Sequence, residues 1–244
     1  MNIRRINRGI ALGCVLAVGT VSYVVYDQKQ FSKGQDSIKS VIEQYFNDVA
    51  SVQVTKNQEK ALDAYKNVID KYWVSNNDWF NENDFVFDKS SLTEGWNTII
   101  KEWQPTGHFE KCEMRISDIS INKYGNNGAF VTIDYDVYCE YFGAPLDFSN
   151  VYVTTAEQDY HVGNENADKE ESVKYKGTKN YFATELYLEN VDGDWRIVGV
   201  GRYSNGYSSN ISKATEENNN SKAVDDSMAN SDTDSDSKAG VENE

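Results

Sequence analysis

At Gly107 the spacing of apolar residues changes, and that change constrains the fold more than any other feature of the chain. Before it, apolar positions recur at intervals of three and four, the period of a helix that buries one face. Ile38, Val41, Ile42, Tyr45, Phe46 and Val49 form one such stripe from Asp36 onward. Ala61, Leu62, Tyr65, Val68, Ile69 and Tyr72 form a second, joined to the first near Gln53–Gln58. Ser91 is a candidate N-cap for a third helix, with Glu94 three residues on as in a capping box. Trp96, Ile99, Ile100 and Trp103 then share one face until Pro105 and Gly107 end it.

After Gly107 the period becomes two, the signature of strands with one buried face. His108–Lys123 reads as a strand with Cys112, Met114 and Ile116 on one face. The apolar positions then slip to Ile119 and Ile121, which predicts a β-bulge near Ser117-Asp118. Tyr124–Gly128 is a turn, and Ala129, Val131, Ile133, Tyr135, Val137, Cys139 and Tyr141 alternate as the next strand. Further strands are predicted around Phe148–Val162, Tyr175–Asn190 and Trp195–Tyr203. Asn190–Asp194 carries the turn before the last strand, and Gly163–Ser172 is an acidic loop. The class is therefore α+β, with helices first and an antiparallel sheet after them.

Ahead of the helices stands a different kind of segment. Gly9–Tyr26 contains no charged residue, and Arg4, Arg5 and Arg8 precede it without an acid. Eighteen helical residues would span about 27 Å, enough for the core of a bilayer. Tyr23 and Tyr26 would sit at the far interface, and the arginines would stay cytoplasmic. A cleaved signal peptide needs small residues at its cleavage site, whereas the exit here, Tyr23-Val24-Val25-Tyr26, is bulky. Ala11-Leu12-Gly13-Cys14 loosely matches a lipobox, but Arg8 lies too close to leave room for a hydrophobic region. The expected organisation is a cytoplasmic N-terminus over residues 1–8, a transmembrane helix over 9–26 and a linker over 27–35. A folded extracytoplasmic domain over 36–204 and a disordered acidic tail over 205–244 follow.

The closing strand reads Val191-Asp192-Gly193-Asp194-Trp195-Arg196-Ile197-Val198. Together with the element order, this segment resembles the last hairpin of the NTF2-like superfamily, where a D-G-x-W-x-I segment commonly closes the sheet. The resemblance covers about Asp36 to Ser204 and departs from the compact pattern at the Gly163–Ser172 insertion. It implies a cone in which helices pack on a curved antiparallel sheet around a pocket. Ketosteroid isomerase and scytalone dehydratase are enzymes of that superfamily; many other members only bind partners. The layout of one anchor and one such domain is similar to the VirB8-like and TcpC-like proteins of bacterial conjugation machines. The resemblance carries no catalytic residue onto this chain.

Composition narrows the function classes. The net charge is −15, and nucleic-acid binding needs a positive surface, so a direct nucleic-acid partner is not expected. With two His and no CxxC or HExxH pattern, no zinc site is expected. The tail aspartates Asp232, Asp234 and Asp236 lack the glycine and closing glutamate of a calcium loop. No P-loop, GxSxG or helix-capping GxGxxG is present, and no cofactor is implied.

Three groups merit structural attention. With a bulge at Ser117-Asp118, Ile119 faces Ile133, Met114 faces Val137 and Cys112 faces Cys139. Opposed antiparallel residues have Cα atoms about 4.5 Å apart, inside the disulfide range of roughly 4.4–6.8 Å. The pair is thus a disulfide or two small core thiols. His108 and Glu110, on the same alternating face as Cys112, are pocket candidates for acid–base work. Asp134 and Asp136, with Tyr138 and Glu140, are paired carboxylates or a solvated strand face. The aromatics Tyr72, Trp73, Trp79, Phe80, Phe85 and Phe87 form a core, a pocket lining or a docking patch.

The expected function is a membrane-anchored, non-catalytic binding or scaffold protein of the bacterial cell envelope, part of a conjugation or secretion apparatus. The alternative is an envelope enzyme or small-molecule binder that uses the cone pocket.

Overall fold

The computed structural model describes residues 8–75, 80, 85–102, 106–150, 154–155, 172–201 and 206–214. The chain divides into two units, Met1–Ala214 and Thr215–Glu244, and the second lies outside the described residues. So do residues 1–7 of the expected cytoplasmic N-terminus, nearly all of the Gly163–Ser172 loop, and Trp79 and Trp103.

Three helices precede the long strands, with one short strand that was not expected, Phe85–Asp88, between the second and third. Helix α1 runs Arg8–Gln53, α2 Gln58–Tyr72 and α3 Lys89–Glu102. The helical stripes are where periodicity places them: Ile38, Ile42, Tyr45, Phe46 and Val49 of α1 are buried against Tyr65, Ile69 and Tyr72 of α2. Asn57 caps α2 by accepting the Lys60 backbone N–H at 2.9 Å, an arrangement that contributes about 1 kcal/mol. Asp27–Gln35 is not a break between two helices: it is a helical part of α1. No proline interrupts it, and its side chains reach the sheet. Lys123 pairs with Asp27, Gln35 donates to the Ile121 carbonyl at 3.2 Å, and Phe31 meets Trp195 edge-on at 6.4 Å. Helix α3 starts two residues before the expected cap. Asp88, not Ser91, caps it: Asp88 Oδ1 accepts the Ser91 N–H at 2.7 Å, and Ser91 Oγ accepts the Asp88 N–H at 2.8 Å. Ser91 therefore plays the role that Glu94 was expected to play, because the aspartate three residues upstream begins the helix first.

The strands are β1 Phe85–Asp88, β2 His108–Tyr124, β3 Gly128–Phe142, β4 Leu146–Asp147, β5 Thr154–Thr155, β6 Lys174–Val191, β7 Asp194–Gly201, β8 Gly206–Ser209 and β9 Ser212–Lys213. The main sheet is antiparallel, in the order β1-β7-β6-β3-β2, with β8 and β9 also pairing with β6. Strand β2 is a sheet edge. Strands β4 and β5 form a separate short ladder, and the remainder of the strand expected over Phe148–Val162 lies outside the described residues. Strands β8 and β9 were not expected, since the tail composition begins at residue 205. They form because β6 outruns β7 and offers its remaining edge: the Asn210 side chain accepts the Thr178 N–H at 2.6 Å, and the Ala214 N–H reaches the Lys174 carbonyl at 2.8 Å.

The ladder between β2 and β3 has the predicted register, with a bulge between Ile116 and Asp118. A second bulge, between Phe109 and Lys111, was not predicted. A third lies in β6 opposite Asp134, where Ala183 takes φ +50° and its N–H is held by Asp134 Oδ1 at 2.7 Å. Such bulges bend strands and increase their twist. The closing hairpin turns through Asp192 and Gly193, both at positive φ, as a two-residue turn that follows the strand twist requires.

Helices cover one face of the sheet. Val131, Ile133, Tyr135 and Val137 of β3 and Leu186 and Leu188 of β6 point at them and are fully buried. At one end the opposite face carries its own cluster: Phe80 stacks on Tyr124 at 4.9 Å, and Phe80 and Phe85 meet Tyr187 edge-on. A Cβ at Gly199 would run into the Phe85 ring, so glycine is what lets that ring lie flat on β7. Among the described residues no helix is long and apolar enough to cross a membrane; most side chains of Gly9–Tyr26 lie outside that description.

Candidate functional site

Between the helices and the sheet, where a cone pocket would open, aromatic rings of the described residues pack against one another. Phe148 stacks on Tyr65 at 4.5 Å and tilts against Trp96 at 4.7 Å. Phe46 lies 4.8 Å from Tyr135, which stacks on Tyr181 at 4.7 Å. Tyr45 and Tyr65 meet through their hydroxyls at 3.4 Å, and burial pushes both phenols up. These rings are supplied by α1, α2, α3, β3, β6 and the segment after β4, so the packing draws on every layer.

One ionic group sits inside this apolar wall. Lys179 points inward from β6, where its register neighbour is Val137, and pairs with Asp147 of β4. The lysine side chain is 1% exposed and the aspartate 0%. Asp147 Oδ1 also accepts the Ser149 N–H at 2.9 Å, the Ser149 hydroxyl at 2.5 Å and the Gln53 amide at 3.3 Å. Gln53, the last residue of α1, donates to the Leu146 carbonyl at 2.8 Å and accepts the Phe148 N–H at 2.8 Å. Burial alone would push the Asp147 carboxyl up; the Lys179 charge and these donors outweigh it and hold it below the usual carboxylate range. With its partners in place, Asp147 is a satisfied structural anion rather than a carboxylate poised for proton transfer.

The sequence candidates lie elsewhere. The bulge at Glu110 breaks the alternation that joined His108, Glu110 and Cys112 on one face. Phe109 instead joins Cys112 on the inward face, each opposite an inward β3 residue, Tyr141 and Cys139. His108 pairs with Phe142 and stacks on its ring at 5.4 Å. Glu110 binds Lys174 at 2.8 Å, and Lys174 also binds Glu140 at 2.6 Å. Glu110 and Glu140 hold the lysine's pKa above its ordinary value. Beside them, Glu113 bridges Lys111 at 2.9 Å and Arg115 at 2.7 Å, and Lys111 lies over the Tyr138 ring at 5.0 Å. This outward face is a lattice of charge pairs open to solvent. Asp134 is spent on the Ala183 bulge, so it and Asp136 do not act as an acid–base couple. Of the aromatics near α2, Tyr72 and Trp73 are core and Phe80 and Phe85 cover the outer face, which leaves no exposed patch among those described. Among the described residues no group of three or more His, Cys, Asp or Glu converges as a metal ion would require.

An open groove of about 580 Å³ lies between α1 and β2. Asn47, Ala50 and Ser51 of α1 and Val54 just past its end form one wall, and Cys112 and Met114 lie on the strand side. Cys112 stands directly opposite Cys139, as predicted. The Lys179–Asp147 pair was missed by sequence reasoning. Its signal was a lysine at an inward position of β6, in step with Tyr175 and Tyr181, and an aspartate between Leu146 and Phe148.

No family model matches this chain, and no curated protein does. Solved structures similar to it include a nuclear transport factor 2 (NTF2-like) superfamily protein from Salmonella enterica serovar Typhimurium, with a TM-score of 0.35 and 12% identity over 79% of this chain and 99% of that one. A protein described as a "putative aromatic ring hydroxylase" from Novosphingobium aromaticivorans is similar at a TM-score of 0.35 and 10% identity, over 75% of this chain and 94% of that one. Likeness at this level assigns neither family nor chemistry, and the chain stands on its own observed architecture of helices over an antiparallel sheet.

Proposed function

We propose that this chain is a membrane-anchored, non-catalytic binding protein of the bacterial cell envelope, whose NTF2-like extracytoplasmic domain acts through its surfaces as part of a conjugation or secretion assembly. The observation that carries the reading is the aromatic packing between helices and sheet: Tyr65, Trp96 and Phe148 pack on one another there, and the buried ionic pair, Lys179 with Asp147, is further bonded by Ser149 and Gln53. A small-molecule enzyme needs an open cavity with convergent polar groups. His108 and Glu110, which would supply them, are engaged on the opposite face and by Lys174. The NTF2-like reading rests on element order, helices on one sheet face and the Asp192-Gly193 closing hairpin. The anchor rests on the uncharged run Gly9–Tyr26 behind three arginines.

The test is affinity purification of the full-length protein from gently solubilised native membranes, with mass spectrometry of the proteins that follow it. The expected result is recovery in the membrane fraction with a reproducible set of envelope proteins. Recovery from the soluble fraction would remove the anchor. Recovery of the bait alone from membrane would move the function to a ligand of the groove between α1 and β2.

A further inference from the structure

We propose that Cys112 and Cys139 are a disulfide-forming pair that clasps the edge strand β2 to β3, with Cys112 as the sulfur that meets the oxidant. The two residues are register partners, inside an uninterrupted run of pairing from Lys111 opposite Glu140 to Ile116 opposite Tyr135. Bulges bound that run on both sides. Because side chains alternate, a one-residue slip would turn Met114 and Phe109 out of the core, so the register that opposes the sulfurs is held by burial. Opposed residues in an antiparallel ladder have Cα atoms about 4.5–5.5 Å apart, a span a disulfide bridges without moving the backbone.

The two thiols differ in access. Cys139 is fully buried with Phe109, Tyr141 and Tyr175. Cys112 is partly exposed and lines the groove beside α1. An oxidant, either a small disulfide such as oxidised glutathione or the disulfide of an envelope thiol oxidoreductase, therefore reaches Cys112 first. The Cys112 thiolate attacks one sulfur of that disulfide, whose bond breaks to release one thiol, and a mixed disulfide forms. The Cys139 thiolate then attacks Cys112 Sγ and releases the second thiol. Two electrons pass from the cysteines to the oxidant, and the two cysteine protons end on the two released thiols. Burial, then the Asp147 charge and Cys139, push the Cys112 thiol well up, so the first step is slow and calls for a catalyst or long equilibration. Once made, the bond ties β2 to its neighbour; among the described residues β2 pairs with β3 alone.

The occurrence of the bond in the cell rests on the extracytoplasmic placement proposed above, since disulfides persist in oxidising compartments; the geometry does not. The purified full chain is equilibrated with mixed oxidised and reduced glutathione and a catalytic thiol oxidoreductase, then alkylated in denaturant and weighed intact. The expected result is that Cys14 alone is alkylated, that all three cysteines are alkylated after reduction, and that reduction lowers the melting temperature by roughly 5–15 °C. The Cys139→Ser variant should carry glutathione on Cys112, whereas Cys112→Ser should leave Cys139 unmodified. Alkylation of Cys112 and Cys139 without reduction, or a covalent dimer in place of the internal bond, overturns the proposal. If the purified chain links but protein alkylated directly in native membranes does not, the pairing stands and the extracytoplasmic placement fails.

Discussion

The two faces of the sheet both carry lysine–carboxylate pairs, and the pairs have opposite physical standing. On the inner face Lys179 and Asp147 are 1% and 0% exposed. On the outer face Lys174 is 33% exposed, between Glu110 and Glu140 at 40% and 21%. Both lysines touch carboxylate oxygen at hydrogen-bonding range. Water decides the difference. Inside, neither charge can be solvated, so removing one partner strands the other at high cost. Outside, water replaces a lost partner and salt screens what remains. A contact inventory alone would rank the outer lattice first, since it has more pairs; burial reverses the order.

Breaking the inner pair should have the largest effect. Lys179→Ala leaves Asp147 buried and unpaired and should cost about 3–5 kcal/mol of unfolding free energy in urea titration. The double change Lys179→Met with Asp147→Leu should recover part of that loss: it strands no charge, although the Ser149 and Gln53 donors lose the Asp147 acceptor. A single variant within about 1 kcal/mol of the parent would show that water reaches the pair and that the two faces are alike.

Acid should expose the same difference. The Asp147 carboxyl is held below its ordinary value of 3.8. Its contribution is therefore complete above that value and is lost as pH falls through the lower folded-state value. Unfolding midpoints followed downward from neutral pH should drop steeply below about pH 4, and the Lys179→Met/Asp147→Leu protein should drop less. Equal slopes would assign the acid sensitivity to the half-buried outer-face carboxylates, Glu113 and Glu140, which are also held low by their lysine partners.

An intermediate case is Asp134, on the outer face yet bonded to backbone. Its carboxylate accepts the Ala183 N–H of a bulge whose φ is positive, so Asp134→Ala should cost about 2 kcal/mol. Hydrogen exchange at Ala183 should accelerate in that variant; unchanged protection there would mean that the bulge holds itself. The smallest effect belongs to Lys174→Ala. It should cost less than about 1 kcal/mol, and the loss should disappear at high salt. A salt-independent loss of several kcal/mol would make the outer lattice structural and erase the contrast between the faces.

Much of the fold was legible in the chain, and for identifiable reasons. Period alone located α1 from Asp36, α2 and the β2–β3 hairpin, because one buried face imposes its repeat on the residues. The slip from Ile116 to Ile119 revealed the Ser117 bulge, and from it the Cys112–Cys139 register followed. The bulge at Glu110 left no such trace: it lies at the strand entry, with too few apolar residues before it to show a phase change. That omission put His108 and Glu110 in the wrong company. Strands β8 and β9 were illegible because Gly206–Ser209 and Ser212–Lys213 have the polar composition of a tail; only the open edge of β6 makes them strands.

The sequence by itself determined the order of three helices and the long strands β2, β3, β6 and β7, the inward face of most of them and the register that opposes the two cysteines. These depend on local repeats and on alternation, which adjacent residues carry. Tertiary structure alone decided that aromatic rings from helices and strands meet between the layers, that a lysine of β6 and an aspartate of β4 pair among the buried residues, and that His108 stacks on Phe142 away from them. Those outcomes depend on which residues distant in the chain are brought together and whether water is left between them, and no local pattern encodes either.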